Sequence, residues 1–302
     1  MAPMSITVVG SLAFDAVKTP FGERERMLGG AATHFALSAS LFDQVNVVGP
    51  VGDDFGDAEL AVLATRGTNI ADVERVPGKT FFWAGEYHWD MNTRDTLDTQ
   101  LGVFETFEPK LSANSRAADV LFLANIQPSL QLSVLEQMDG PRFTALDSMN
   151  LWIDIARDDL VKVIERVDCV TLNDAEIRQL TEKPSLVAAA KELLAMGPEI
   201  VIAKQGEYGA VAITSDTYFS LPAFPLETVI DPTGAGDTFA GGFVGAIATG
   251  ADIRSAVAYG TAVASFNVEE FGTDRVSRLT REEVDGRVAE LHALTTFDLV
   301  IA

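Results

Sequence analysis

Between Asp231 and Gly242 the chain reads Asp-Pro-Thr-Gly-Ala-Gly-Asp-Thr-Phe-Ala-Gly-Gly. A polar turn passes into small residues and then into a helix expected to open near Ala235. The first amides of a helix have no intrahelical acceptor and carry the positive end of its dipole. With no bulky side chain in the way, Gly234, Ala235 and Gly236 can bring bare N–H groups against an anion. Asp237 follows in the first turn, where a general base for an attacking hydroxyl would have to stand. This spacing allows an anion hole with a base beside it. The alternative is an ordinary glycine-rich turn whose aspartate complements the helix dipole.

Other positions offer partners for that chemistry. Asp15 follows a β-branched run at 6–10, at the end of a strand where open α/β sheets bind ligands, although a solvated loop aspartate would look the same. Gly29 and Gly30 precede a helix of small residues that contains His34, either a ligand contact or a packed core histidine. Asn173 and Glu176 lie one helical turn apart, able to order Mg2+ waters or simply to form a capping box. Lys204 ends an apolar run and could reach a phosphate or stand on the surface. Gly206 and Gly209 follow it in a turn. In the turn at 49–56, Asp53 or Asp54 is expected to cap the next helix.

The elements needed to position these groups follow from periodicity. Short apolar runs at 6–10, 45–48, 120–124, 143–146, 169–172 and 200–203 are expected strands. Helical patterns at 130–138, 158–166, 175–180, 186–196, 235–248 and 253–266 alternate with the later ones, which predicts a parallel sheet with crossover helices. The segment 80–104 differs. Phe81, Trp83, Tyr87 and Trp89 share one face of an alternating strand. That face is either ordinary core or a small lid sheet, completed by 12–28, that closes on substrate or on a second subunit.

The chain of 302 residues has 47% apolar residues, a globular composition expected to form a single domain. Lys and Arg total 22 against 44 Asp and Glu, a net charge of −22. Such a field repels nucleic acid and anionic membranes, and a nucleotide site would need Mg2+ and placed cations to offset it. Cys169 is the only cysteine and there are three histidines, which argues against disulfides and zinc. Neither a signal peptide nor a spanning segment is expected, so a cytoplasmic location is. No Gly-x-Gly-x-x-Gly follows the first strand, which argues against a dinucleotide oxidoreductase.

The run from Asp231 through Val244 resembles the C-terminal signature of the ribokinase-like, or PfkB, carbohydrate kinases, and the Gly29-Gly30 segment and the Asn-x-x-Glu of 173–176 match that family in order. The resemblance implies a three-layer α/β/α sandwich with a mostly parallel central sheet and a small β-sheet lid. It implies an ATP- and Mg2+-dependent kinase that transfers the γ-phosphate to a hydroxyl of a sugar or nucleoside. Asp237 would then be the base and residues 234–236 the anion hole. Asp15, Gly29, Gly30 and His34 would face the acceptor, His34 standing where the family commonly has asparagine. Asn173, Glu176, Lys204, Gly206 and Gly209 would serve the nucleotide and its metal. Asp231 and the Thr233 carbonyl match the place where some relatives bind a monovalent cation such as K+. Vitamin or sugar-phosphate kinases and a non-catalytic binding relative are the alternatives. The aromatic segment offers stacking for a base and no basic cluster for a sugar phosphate is evident, which favours a nucleoside acceptor over a free sugar.

Overall fold

The computed structural model describes residues 4–296. Its strands are β1 (Ile6–Val9), β2 (Ala13–Thr19), β3 (Gly22–Gly29), β4 (Val45–Val51), β5 (Asn69–Arg75), β6 (Phe81–Tyr87), β7 (Arg94–Gln100), β8 (Val120–Leu123), β9 (Phe143–Leu146), β10 (Cys169–Asn173), β11 (Ile200–Lys204), β12 (Ala210–Ile213) and β13 (Tyr218–Leu221). Nine strands form the main sheet in the order β13-β12-β11-β10-β9-β8-β1-β4-β5. Its strands run parallel from β5 to β11, and β12 and β13 close one edge antiparallel.

The sheet is apolar on both faces because helices cover both. Every residue of β1 and β8 is buried. On one face Phe35 stacks on Phe122 at 4.2 Å, and the helices Ala31–Ala39 and Ala235–Ala248 pack above them. These two helices approach closely because Gly241 has no side chain; a methyl there would lie 2.4 Å from the Phe35 carbonyl. On the other face the helices Pro128–Gln137, Arg157–Ile164, Asp174–Thr181 and Leu186–Met196 bury Val134, Leu160, Ile177 and Leu193 against Leu121, Leu172 and Val201. The chain order reverses beside β1, between β4 and β8, and the strand ends there open a crevice of the kind in which α/β sheets hold ligands.

The second sheet has four strands in the order β3-β2-β6-β7, with β2 and β6 parallel and the outer pairs antiparallel. Val17 and Tyr87 anchor it on Phe271, in a loop of the main body. The expected aromatic face is only partly formed. Phe81, Trp83 and Tyr87 are on β6, but the strand stops before Trp89, which is 85% exposed in the connecting turn. That turn needs Met91 at a left-handed φ of 55°; β6 itself keeps an unbroken register against β2, and the β6–β7 shift between Ala84 and Gly85 places the extra residue, Leu97, on β7. Asp53 and Asp54 do not cap the following helix: Gly56 occupies the N-cap, while Asp53 accepts from the Gly78 N–H and Asp54 from Thr80. Among the described residues no helix is long and apolar enough to cross a membrane.

Candidate active site

The turn before the helix Ala235–Ala248 is held from several sides. Asp231 is fully buried; its Oδ1 accepts from the Thr233 N–H and its Oδ2 from the Gly272 N–H, each at 2.9 Å. Gly234 is the N-cap at φ 71°, a left-handed position, and a methyl there would sit 2.4 Å from the His34 ring. Among the described residues the Gly234 and Gly236 amides have no protein acceptor. The Ala235 N–H, expected to be bare, instead donates to the Pro232 carbonyl at 3.2 Å and tightens the turn. Asp237 stands half-buried in the first turn, and burial pushes its carboxyl upward against the pull of Lys204 and Arg94.

Beside it, the ends of β9, β10 and β11 bring together three further charges. Lys204, last residue of β11, pairs with Asp147, which follows β9 and carries no motif in the sequence. Asn173 and Glu176 form the capping box: Asn173 Oδ1 accepts from the Glu176 N–H at 2.8 Å, and Glu176 Oε2 accepts from the Asn173 N–H at 2.9 Å. Burial raises Glu176 to about 7 and Asp147 to about 6, with the Lys204 charge opposing both. Burial works against the Lys204 ammonium, but Asp147 and Glu176 outweigh it and hold its pKa above the ordinary lysine value. Lys204 is therefore no surface residue; a methyl on Gly236 would lie 3.2 Å from its Nζ.

On the acceptor side, Asp15 lies within β2 of the small sheet rather than in a loop after β1, because the chain leaves one sheet and enters the other within a few residues. It is 5% exposed, and a side chain on Gly29 would collide with its carboxylate, a methyl falling 1.9 Å from Oδ2. Burial, then the charges of Asp231 and Asp237, raise Asp15 to about 7. Gly30 caps the helix Ala31–Ala39 at φ 98°. His34, one turn on, is buried, and burial lowers its pKa. Its Nδ1 lies 3.1 Å from Asn267 Oδ1, and its Nε2 has no partner among the described residues.

On the other side of the turn a cavity of about 620 Å³ is lined by Lys204, Gly206, Gly209, Gly236, Phe239 and Ala264, among others. Its size is that of a small-molecule site. Gly206 at φ 57° and Gly209 at φ 95° shape its wall; a methyl on Gly209 would meet the Leu221 carbonyl at 2.0 Å. The tip of the small sheet reaches this rim, where Asn92 Nδ2 donates to Glu207 Oε1 at 3.1 Å. Arg94, at the start of β7, lies 5.7 Å from the Trp83 ring, and its charge reaches Asp237 and Glu176. Asp147 and Arg94 escaped sequence reasoning; only the position of Asp147 just beyond a strand end could have pointed to it.

The cavity reaches Lys204 and the start of the helix Ala235–Ala248 at Gly236, at the strand ends of a doubly wound sheet, a placement suited to phosphoryl transfer. The family follows from similarity. Residues 4–279 match the pfkB family carbohydrate kinase, and the chain belongs to that family, whose members are phosphotransferases acting on hydroxyl groups. The cytidine kinase of Thermococcus kodakarensis is 31% identical over 264 residues, covering 85% of this chain and 93% of the relative. Among solved structures, the nucleoside kinase of Methanocaldococcus jannaschii superposes with a TM-score of 0.80 at 22% identity, covering 95% of this chain and 98% of that one. A putative ribokinase II from E. coli, in complex with ATP and Mg2+, superposes with a TM-score of 0.78 at 20% identity, covering 95% and 99%. At those identities the likeness shows the fold, a ribokinase fold.

Proposed function

We propose that this kinase phosphorylates a hydroxyl of a nucleoside, with ATP as donor and Mg2+ as metal, and that residues 1–302 act as one domain. The observation that carries the mechanism is Asp237 standing beside the acceptor-free amides of Gly234 and Gly236, with Asp15 within electrostatic reach across the turn. Asp15, in the space opened by Gly29 and Gly30, accepts from the acceptor's hydroxyls. Asp237 takes the proton of the attacking hydroxyl as its oxygen bonds to the γ-phosphorus, and the bond to the bridging oxygen breaks to release ADP. The two amides meet the charge on the transferring group, and Lys204 and Arg94 face the phosphates. Glycines at 206 and 209 let the backbone approach the nucleotide. The small sheet serves as a lid that excludes water.

Asp147, Glu176 and Asp237 share Lys204 and the more distant Arg94, three carboxyls to two cations, an excess of acidic groups that a divalent cation would offset. Mg2+, when bound, would supply neutralisation of the phosphate charges, and Glu176, fixed by Asn173, would be the residue that holds it, through water. Asp231 is buried without a basic partner among the described residues, which fits a monovalent cation at its carboxylate and the Thr233 carbonyl. Replacement of K+ by tetramethylammonium lowers the rate on this reading, and an unchanged rate removes the cation. The fully exposed β7 is a surface through which a homodimer could form at the lid, checked by sedimentation, and a cytoplasmic location is part of the same proposal.

The nucleoside reading rests on Phe81, Trp83 and Tyr87 in the lid, together with the name of the Thermococcus relative. A panel of nucleosides, ribose and fructose with ATP and Mg2+ tests it. Turnover of a nucleoside supports it, and turnover of free sugars alone overturns it.

A further inference from the structure

Asn267 belongs to none of the motifs, yet its side chain binds three parts of the site. It ends the helix Ile253–Asn267 and is 1% exposed. Asn267 Nδ2 donates to the Thr233 carbonyl at 2.8 Å. A carbonyl can only accept, so this bond fixes which end of the amide is nitrogen. Oδ1 therefore accepts, from the Thr238 hydroxyl at 3.0 Å and from His34 Nδ1 at 3.1 Å. The His34 bond in turn requires a proton on Nδ1, which leaves Nε2 as a bare lone pair, in keeping with its lack of a partner.

The three contacts bracket the anion hole. Thr233 immediately precedes Gly234 and Thr238 immediately follows Asp237, so one amide spans the whole turn that carries the base and the bare N–H groups. The third contact reaches the helix that Gly30 caps on the acceptor side, and the His34 ring lies flat beneath Gly234. Ser38, on that same helix, donates to the Thr238 carbonyl at 2.7 Å and adds a second tie.

We propose that Asn267 is a positioning residue that sets the distance between the phosphate-side turn and the acceptor-side helix through Thr233, Thr238 and His34. His34 on this reading is the platform and relay for Gly234 rather than a free ligand group. Asn267→Ala removes all three bonds. Asn267→Asp keeps the shape but loses the donor to Thr233 and draws a proton onto His34. Thr238→Val loses one arm, and Thr238→Ser restores its hydroxyl.

The test has two arms. In the 15N spectrum of the three histidines, His34 is expected as the Nδ1–H tautomer in the wild type and to change tautomer or titrate in Asn267→Ala; an Nε2–H tautomer in the wild type overturns the relay. In kinetics with the acceptor found by the panel, kcat is expected to fall about ten- to a hundredfold in Asn267→Ala and Asn267→Asp, with KM for ATP within about threefold. Thr238→Ser is expected near wild type and Thr238→Val below it. Unchanged kcat, or kcat that only tracks the melting temperature across all four variants, overturns the proposal. This kinetic arm rests on the kinase reading; the spectrum does not, so failure to phosphorylate any acceptor leaves the relay testable.

Discussion

The floor and the roof of the cleft are built differently. On the floor, at the strand ends of the main sheet, most charged groups are tied to the fold: Asp231 by two amides, Glu176 through a reciprocal cap, Lys204 by Asp147. The roof is a small sheet whose outer strand, Arg94–Gln100, is exposed at all seven residues. Its tip meets the turn at 205–209 through Asn92 and Glu207, both exposed. Groups that must meet a transition state need fixed geometry, and groups that admit and release ligands need the freedom to move. Floor variants should therefore change kcat, and roof variants should change KM.

The sharpest way to break that division is Asp237→Asn. The amide keeps the shape and loses the base, so kcat should fall about 10²–10⁴-fold while ATP binding, read by calorimetry, persists. An unchanged kcat would remove Asp237 as base and with it the special standing of the floor. Gly234→Ala comes next. The new methyl would enter the His34 ring from a φ of 71° that alanine adopts at a cost, so the turn must shift and carry its amides away. Loss of about 10²-fold in kcat is expected, in line with removal of one oxyanion donor. A rise in KM with kcat intact would contradict the assignment.

Asp15 tests the boundary, because it is on a roof strand yet buried like a floor residue. Its carboxyl, raised to about 7, must be ionised to accept well from a substrate hydroxyl. Thus kcat/KM for the acceptor should fall about tenfold per pH unit below that value and level off above it, and the limb should vanish in Asp15→Asn. Stability has the opposite sign. A carboxyl that binds its proton more tightly when folded contributes stability fully below its unfolded value near pH ~4, and that contribution is lost as pH rises through about 7. The ligand-free melting temperature should therefore drop over the same range in which acceptor turnover gains.

The floor was more legible in the sequence than the roof, for a physical reason. Buried parallel strands must be continuous β-branched runs, and the turn at Asp231–Gly236 needs small residues in a fixed order, so both leave local patterns. The strand Asn69–Arg75 left none, since an edge strand with polar residues resembles a loop. Trp89 misled because alternation says which side a residue faces and not where the strand stops. Asp147 and Asn267 carried no motif because their roles come from partners far along the chain: Lys204 is 57 residues from Asp147, and His34 is 233 from Asn267. In both cases the residue type is ordinary and the meaning arises only when the fold brings distant segments together.

Arg94 gives the smallest effect and the finest test. It starts the exposed strand, yet its charge is felt by Asp237 and Glu176 on the floor. In a chain of net charge −22, a cation brought by the roof would draw the triphosphate in as the lid closes. Because the side chain is exposed and screened by water, its worth is that of a surface pair, about 1 kcal/mol. Arg94→Ala should raise KM for ATP about three- to tenfold, more at low salt than at high, and leave kcat nearly unchanged. A fall in kcat as large as that of Gly234→Ala would mean that Arg94 meets the transferring group in the transition state, and the roof would then share the chemistry assigned to the floor.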